Sequence, residues 1–215
     1  WEIELEKLLD KHRSKNGSFD CIVPVSGGKD GSYVAYNLKH KYRMNPLCVT
    51  ITPPMPLQLG EDNLRSFVES GYNHISINAS FEAMRSLNKY GLIHMGFPYY
   101  GWLIAIASVP IQIASKFNIK LIFYGEDGEV EYGGSNETAK NPIYNIEYMK
   151  RIYLENGYEK VLENANLKEE DLSFFKFPDI DKVNIDITHW SYYENWDPYR
   201  NYLTAKKYCG LKESE

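Results

Sequence analysis

The sequence predicts an α/β fold, a Rossmann-like parallel sheet with helices on both faces. Two observations carry that expectation. Short apolar runs alternate along the chain with longer stretches of helical periodicity, an alternation that builds strand–helix–strand units with a common strand direction. The first apolar run, Phe19 to Val25, also leads straight into a glycine-containing loop and then a helix. Sheets of this kind keep their function at the carboxyl ends of their strands.

Leu5, Leu8, Leu9 and His12 recur at helical spacing, so the chain opens on an amphipathic helix that Asn16-Gly17 can end. Phe19 to Val25 reads as the first strand and Tyr33 to Tyr42 as the helix after it. Leu47 to Ile51 is the second strand, Glu61 to Ser70 a helix stopped by Gly71, and His74 to Ile77 the third strand. Phe81 to Tyr90 reads as a helix, Gly96 to Gly101 as a turn, and Trp102 to Phe117 as an apolar helix kinked or divided at Pro110. A strand at Lys120 to Tyr124 and a glycine- and acid-rich loop to Pro142 follow. Short helices are expected at Ile146 to Asn156, Tyr158 to Asn164 and Lys168 to Phe175, and a strand at Lys182 to Thr188. Asp197 and Pro198 cap the start of a last helix, and Gly210 sits where a glycine stop belongs. Residues 1–142 thus read as an α/β domain and 143–215 as a helical and mixed C-terminal extension packed on it.

Composition narrows the classes. The 215 residues are 43% hydrophobic and 25% charged, ordinary globular values. A net charge of -5 lacks the basic stripe of a nucleic-acid binder. The longest apolar run, Trp102 to Ala114, is interrupted by Ser108, Pro110 and Gln112 and is too short for a bilayer core of about 30 Å. Cys21, Cys48 and Cys209 have no metal-ligand spacing and read as buried thiols in a reducing, cytoplasmic setting. A first residue of Trp rather than Met suggests a piece of a longer chain. Late aromatics at Tyr192, Tyr193, Trp196, Tyr199, Tyr202 and Tyr208 suit core packing or a wall for a ring-shaped ligand.

The richest segment is Ser26-Gly27-Gly28-Lys29-Asp30-Gly31-Ser32. A strand ends there, two glycines permit close backbone approach, and a helix begins, a combination that presents N–H groups and a positive dipole end to an anion. Ser26 and Ser32 add hydroxyls, Lys29 a mobile cation, and Asp30 an oxygen ligand for magnesium. The spacing fits neither a Walker A loop nor a dinucleotide glycine triplet. It resembles the PP-loop, Ser-Gly-Gly-X-Asp-Ser/Thr, except that Gly31 stands where a hydroxyl is usual, with Ser32 able to supply one from the next position. The resemblance implies cleavage of ATP between its α and β phosphates and places adenine near the backbone of Thr50 and Ile51.

A second constellation runs from Gly125 through Glu126, Asp127, Gly128, Glu129, Val130, Glu131 and Tyr132 to Gly133-Gly134. Following a strand, it faces the same sheet edge. Glu126 and Glu131 could hold magnesium, orient ammonia or accept its protons. Together with Val23-Pro24-Val25-Ser26-Gly27-Gly28-Lys29-Asp30 and Ala105-Ile106-Ala107-Ser108-Val109-Pro110, the strings Tyr124-Gly125-Glu126-Asp127 and Glu131-Tyr132-Gly133-Gly134 resemble the N-acetyl sugar amidotransferases.

That resemblance implies conversion of an acetamido group on a bacterial nucleotide sugar or nonulosonate to an acetamidino group, in lipopolysaccharide O-antigen or flagellar glycan biosynthesis. ATP and Mg2+ would serve the reaction, with Lys29, Asp30, Glu126 and Glu131 as catalytic candidates and Gly125 among the nucleotide contacts. Ammonia would come from a separate glutaminase and cyclase-like pair; a homo-oligomer is compatible with the sequence but is not implied by the resemblance.

Substrate-side candidates are His94, Tyr99, Tyr100 and Trp102 before the long apolar helix, His189 after the late strand, and Tyr132, Gly133 and Gly134 in the acidic loop. Lys206 and Lys207 could meet a phosphate or form a solvated face. Other PP-loop enzymes, tRNA-modifying or carboxylate-amidating, and a noncatalytic adenine-nucleotide sensor share the loop. Acidity and isolated cysteines disfavour the first, the Glu-Tyr-Gly-Gly string the second, and a sensor would need neither Asp30 nor Glu131.

Overall fold

The structure, a computed structural model, describes residues 1–126, 128, 141–155, 157–179 and 184–214. Five strands, β1 (Cys21–Pro24), β2 (Pro46–Ile51), β3 (Asn73–Ile77), β4 (Leu121–Tyr124) and β5 (Asp186–His189), form one sheet in the order β3-β2-β1-β4-β5. Every neighbouring pair is parallel. Cys21 lies opposite Pro46, and Ile22 lies between Leu47 on one side and Ile122 on the other.

Successive strand side chains point to opposite faces, and each face here has its own apolar core. Cys21, Val23, Cys48, Leu121 and Phe123 pack with Leu5, Leu8 and Leu9 of α1 (Glu2–His12), with α2 (Lys29–Tyr36), and with Cys209 of the C-terminal helix Pro198–Cys209. Ile22, Leu47, Val49, Ile51, Ile122 and Ile187 pack instead against α4 (Phe81–Met95) and α5 (Tyr100–Phe117). Between β2 and β3 runs α3 (Gln58–Glu69), which contributes Phe67 to the first core. An all-parallel sheet needs both faces covered, and these two cores meet that need. Residues after 143 join the same assembly: β5 pairs along β4 from Asp186 to His189, and an antiparallel bridge joins Tyr144 to Ile187.

Several ends differ from the sequence expectation. The helix after β1 starts at Lys29 rather than Tyr33, and its tail, Asn37–Lys41, is π-wound. The helix at Phe81 runs on to Met95, where Gly96 ends it at φ 68°. The expected helix from Ile146 is a short α-turn, Ile146–Tyr148, continued by π-wound Met149–Tyr153, and Glu169–Phe175 is a 3₁₀ helix. The last strand begins at Asp186, and positions 182 and 183 lie outside the described residues. The final helix has the expected caps: Asp197 accepts from the N–H groups of Tyr199 and Arg200, each at 3.0 Å, Pro198 occupies the first turn, and Gly210 takes φ 72°.

Pro110 neither divides its helix nor ends it; α5 is continuous from Tyr100 to Phe117. A proline cannot donate to the carbonyl four residues back, here that of Ile106. The Tyr124 hydroxyl, from the end of β4, donates to the Ile106 carbonyl at 3.1 Å instead. Tyr124→Phe is therefore expected to leave a part-buried carbonyl without its donor and to lower stability by about 1 kcal/mol, measured by urea unfolding.

Cys21, Cys48 and Cys209 are free and buried, and desolvation raises the pKa of each thiol. Among the described residues no helix is long and apolar enough to cross a membrane.

Candidate functional site

From β1 the chain moves outward to β2 and β3, then returns across the sheet to place β4 and β5 on the other side of β1. Its direction of winding therefore reverses between β1 and β4, the place where open parallel sheets leave a crevice at their carboxyl ends. A cavity of about 260 Å³ lies there. The β1–α2 turn supplies Ser26, Gly28, Lys29, Asp30 and Gly31; β2 supplies Val49 and Ile51; α5 supplies Trp102 and Ile106; and the end of β4 supplies Tyr124, Gly125 and Glu126.

Close backbone packing shapes this turn. Gly27 holds φ +80°, and a Cβ there would stand 2.5 Å from the Leu64 backbone nitrogen, so the turn is seated on α3. At Gly31 a Cβ would meet the Pro24 carbonyl oxygen at 3.0 Å, and at Gly125 one would meet the Gly31 nitrogen at 2.7 Å and the Asp30 carbonyl carbon at 2.9 Å. The segment leaving β4 thus lies directly on the first turn of α2. The crowding of a Gly31 Cβ against Pro24 and Val25 accounts for glycine at a position where the PP-loop pattern has a hydroxyl residue. Among the described residues no side chain caps the N-terminus of α2, which leaves its first N–H groups for an outside acceptor.

Lys29 pairs with Oδ2 of Asp30, their side chains 38% and 23% exposed. The second carboxylate oxygen, Oδ1, accepts from Asn201 Nδ2 at 2.9 Å. Asp30 and Glu126 line one cavity and are hard oxygen donors of the type magnesium takes. Among the described residues no group of three or more His, Cys, Asp and Glu is clustered for a metal. This donor set suits a cation held by one or two carboxylates together with substrate phosphates.

The remaining candidates divide. Ile51 faces the cavity, whereas Thr50 is 3% exposed and its hydroxyl donates to the Val25 carbonyl at 2.6 Å, bracing the root of the loop. Ser32 is 1% exposed and donates to the Gly28 carbonyl at 2.7 Å, so its hydroxyl is spent inside α2 and does not replace the one missing at position 31. Trp102 lines the cavity. Tyr99 lines a separate hollow beside it with Met55, Phe81 and Arg85. Tyr100 is buried and donates to the Leu154 carbonyl at 2.7 Å. His94 is exposed and packs on Tyr90, outside the cavity lining. Lys206 pairs with Glu213 on the surface. The late aromatics do not line the cavity, and Tyr193 packs on Phe123. Glu131, Tyr132, Gly133 and Gly134 lie outside the described residues.

His189 is 1% exposed and is not placed to touch a substrate. Its Nε2 lies 2.8 Å from the Tyr144 hydroxyl and 3.2 Å from that of Tyr153, and the ring bonds the Glu126 backbone. A Cβ on Gly128 would come within 2.6 Å of the imidazole. His189 therefore supports Glu126 and Gly128 from behind. Desolvation pushes its pKa down to about 3, so the ring is neutral at ordinary pH.

Two residues escaped the sequence reading. Tyr124 appears there only as a strand end and inside a string, and Asn201 not at all. The signal for Asn201 is a polar residue on a buried stripe: Asn201, Ala205 and Cys209 stand at intervals of four and are all buried.

Fold and site together define an α/β protein with an anion-suited turn, a lysine and two carboxylates at the switch point of a parallel sheet. No family model matches the chain. A stretch of 48 residues is 40% identical to an uncharacterized protein of Methanocaldococcus jannaschii, and the match covers 22% of this chain and 17% of that protein's length.

Proposed function

We propose that this chain is a PP-loop ATP pyrophosphatase, and specifically an amidotransferase that turns the acetamido group of a bacterial nucleotide sugar or nonulosonate into an acetamidino group. One observation supports the nucleotide reading most: the Ser26–Asp30 turn and Glu126 line a single cavity at the switch point, with Gly125 laid against Gly31. The sugar-amidotransferase reading adds to this the resemblance of the Tyr124-Gly125-Glu126-Asp127 and Glu131-Tyr132-Gly133-Gly134 strings.

In this reading the N–H groups at the start of α2 and the Lys29 ammonium bind phosphate oxygens. Asp30 and Glu126 would hold magnesium, which supplies positive charge to the departing pyrophosphate. The acetamido oxygen attacks the α-phosphorus and pyrophosphate leaves. Ammonia, delivered by a partner glutaminase and cyclase-like pair, then adds to the activated carbon, loses a proton to a nearby carboxylate or water, and expels AMP. Asp30 and Glu126 are the carboxylates lining the cavity, so whichever is not engaged by the metal would take that proton, and the apolar walls from Val49, Ile51 and Ile106 limit water.

The test is to incubate the protein with ATP, Mg2+, an ammonium salt and UDP-linked diacetamido uronic acids or acetamido nonulosonates. Mass spectrometry should show a product with one oxygen replaced by NH, formed with AMP and pyrophosphate and lost in Asp30→Ala. ADP in place of AMP, or amidine that survives Asp30→Ala, would overturn the role given to the turn. Tight ATP binding without turnover of any of these sugars would favour the sensor reading.

A further inference from the structure

We infer that Asn201 is a positioning residue for Asp30: it fixes one carboxylate oxygen so that the other can exchange between Lys29 and a divalent cation. This rests on the nucleotide-site reading above. The two partners of Asp30 differ in kind. Asn201 is 0% exposed, whereas Lys29 carries its ammonium on a flexible stem with a side chain 38% exposed. Lys29 can swing to a phosphate, but the Asn201 amide cannot leave without opening the core.

Packing alone does not call for an amide at position 201. Its neighbours on the stripe are Ala205 and Cys209, and its own Oδ1 is buried with no hydrogen-bond partner among the described residues. An apolar side chain of equal volume would avoid that orphan acceptor. What the amide provides is the Nδ2 donor to Asp30.

The helix that carries Asn201 is anchored independently of Asp30. Asn63 of α3 exchanges two hydrogen bonds with the Lys212 backbone, at 3.0 and 2.8 Å, and Gly210 packs on Ser66 of α3. The same α3 seats Gly27 on Leu64. The turn and the helix that carries the donor thus both touch α3, and that helix also packs directly on α2, where Tyr208 stacks on Tyr36 and Arg200 lies over the Tyr33 ring, which fixes the donor relative to the phosphate-facing N–H groups. Partners that orient a metal-ligating carboxylate typically set affinity by about 10–100-fold.

The experiment measures Mn2+ binding by electron paramagnetic resonance in the presence of α,β-methylene-ATP, for the full chain and for Asn201→Leu, Asn201→Ser and Asp30→Asn. Binding of a fluorescent ATP analogue in EDTA and thermal melting are recorded on the same samples. Asn201→Leu, which keeps volume and removes the donor, should weaken Mn2+ by about tenfold while metal-free nucleotide affinity is unchanged. Asn201→Ser, which keeps a shorter donor, should fall between, and it decides the question if the Leu variant does not fold. Unchanged Mn2+ affinity in Asn201→Leu alongside a loss in Asp30→Asn would overturn the inference and leave the site reading standing. A parallel fall in Mn2+ affinity, metal-free nucleotide affinity and melting temperature would reduce Asn201 to packing. Unchanged Mn2+ affinity in Asp30→Asn would remove the metal role of Asp30 and the inference with it.

Discussion

Gly125→Ala is expected to lower stability by about 3 kcal/mol, at the upper end of overpacking effects, and to weaken nucleotide binding at least as severely as the loss of any single contact. The added Cβ would stand 2.7 and 2.8 Å from the nitrogen and Cα of Gly31 and 2.9 Å from the Asp30 carbonyl carbon. All three are backbone atoms in the first turn of α2, so no rotamer change relieves the clash. Relief requires the β4 exit to move away from α2, and that movement parts the two walls of the cavity. Gly60 supplies the contrast. It lies within α3, and among the described residues a Cβ there meets nothing within 4 Å, so Gly60→Ala should stabilise by up to about 1 kcal/mol through helix propensity. Urea unfolding and titration with a fluorescent ATP analogue on both variants check the pair. A Gly125→Ala protein as stable as the parent would show that β4 and α2 are not in register-fixing contact.

Acid should destabilise the protein through His189. The folded pKa is about 3, against roughly 6.5 for an unfolded histidine. Between those values the unfolded chain binds a proton that the folded chain refuses, so the contribution is fully present above the unfolded value and is lost as pH falls. One such group removes about 2 kcal/mol between pH 7 and pH 5. His74, whose pKa is also lowered by burial, acts in the same direction. Comparing the parent with His189→Gln at both pH values isolates the His189 share: the variant should lose less by about one proton's worth of slope. Equal pH dependence in the two proteins would mean that His189 is hydrated rather than enclosed by Tyr144, Tyr153 and Gly128.

The sheet and most helices were legible because their signals are local. Apolar runs mark β1, β2 and β4, and Asp197-Pro198 with Gly210 brackets the last helix, since caps and stops act within a turn. The glycines at 27 and 28 and the charges at 29 and 30 were legible for the same reason. What was not legible depends on residues far away in sequence. The Pro110 break is absent because Tyr124 supplies a donor from another element. Ser32 reads as a phosphate contact until the helix is seen to start at Lys29, which turns its hydroxyl back to Gly28. His189 reads as a ligand-binding residue beside a strand end, but four tyrosines and a glycine close around it. Gly31 reads as a departure from a pattern, and its reason is a contact that only the folded turn reveals: a Cβ there would meet the Pro24 carbonyl and Val25 at the end of β1.

The strand order also determines how portable this site is. Its walls come from the β1–α2 turn, from β2, from the end of β4 and from α5, and the amide on Asp30 comes from the C-terminal helix. A graft of Ser26 to Ser32 into another strand–helix unit would transplant the anion-facing amides without Gly125, Glu126 or Asn201. Such a chimera would inherit a turn but no oriented carboxylate. Diversification within this architecture is correspondingly free at Tyr99 and the hollow beside it, and confined at the seam between β1 and β4, where two backbones touch and neither can acquire a side chain alone.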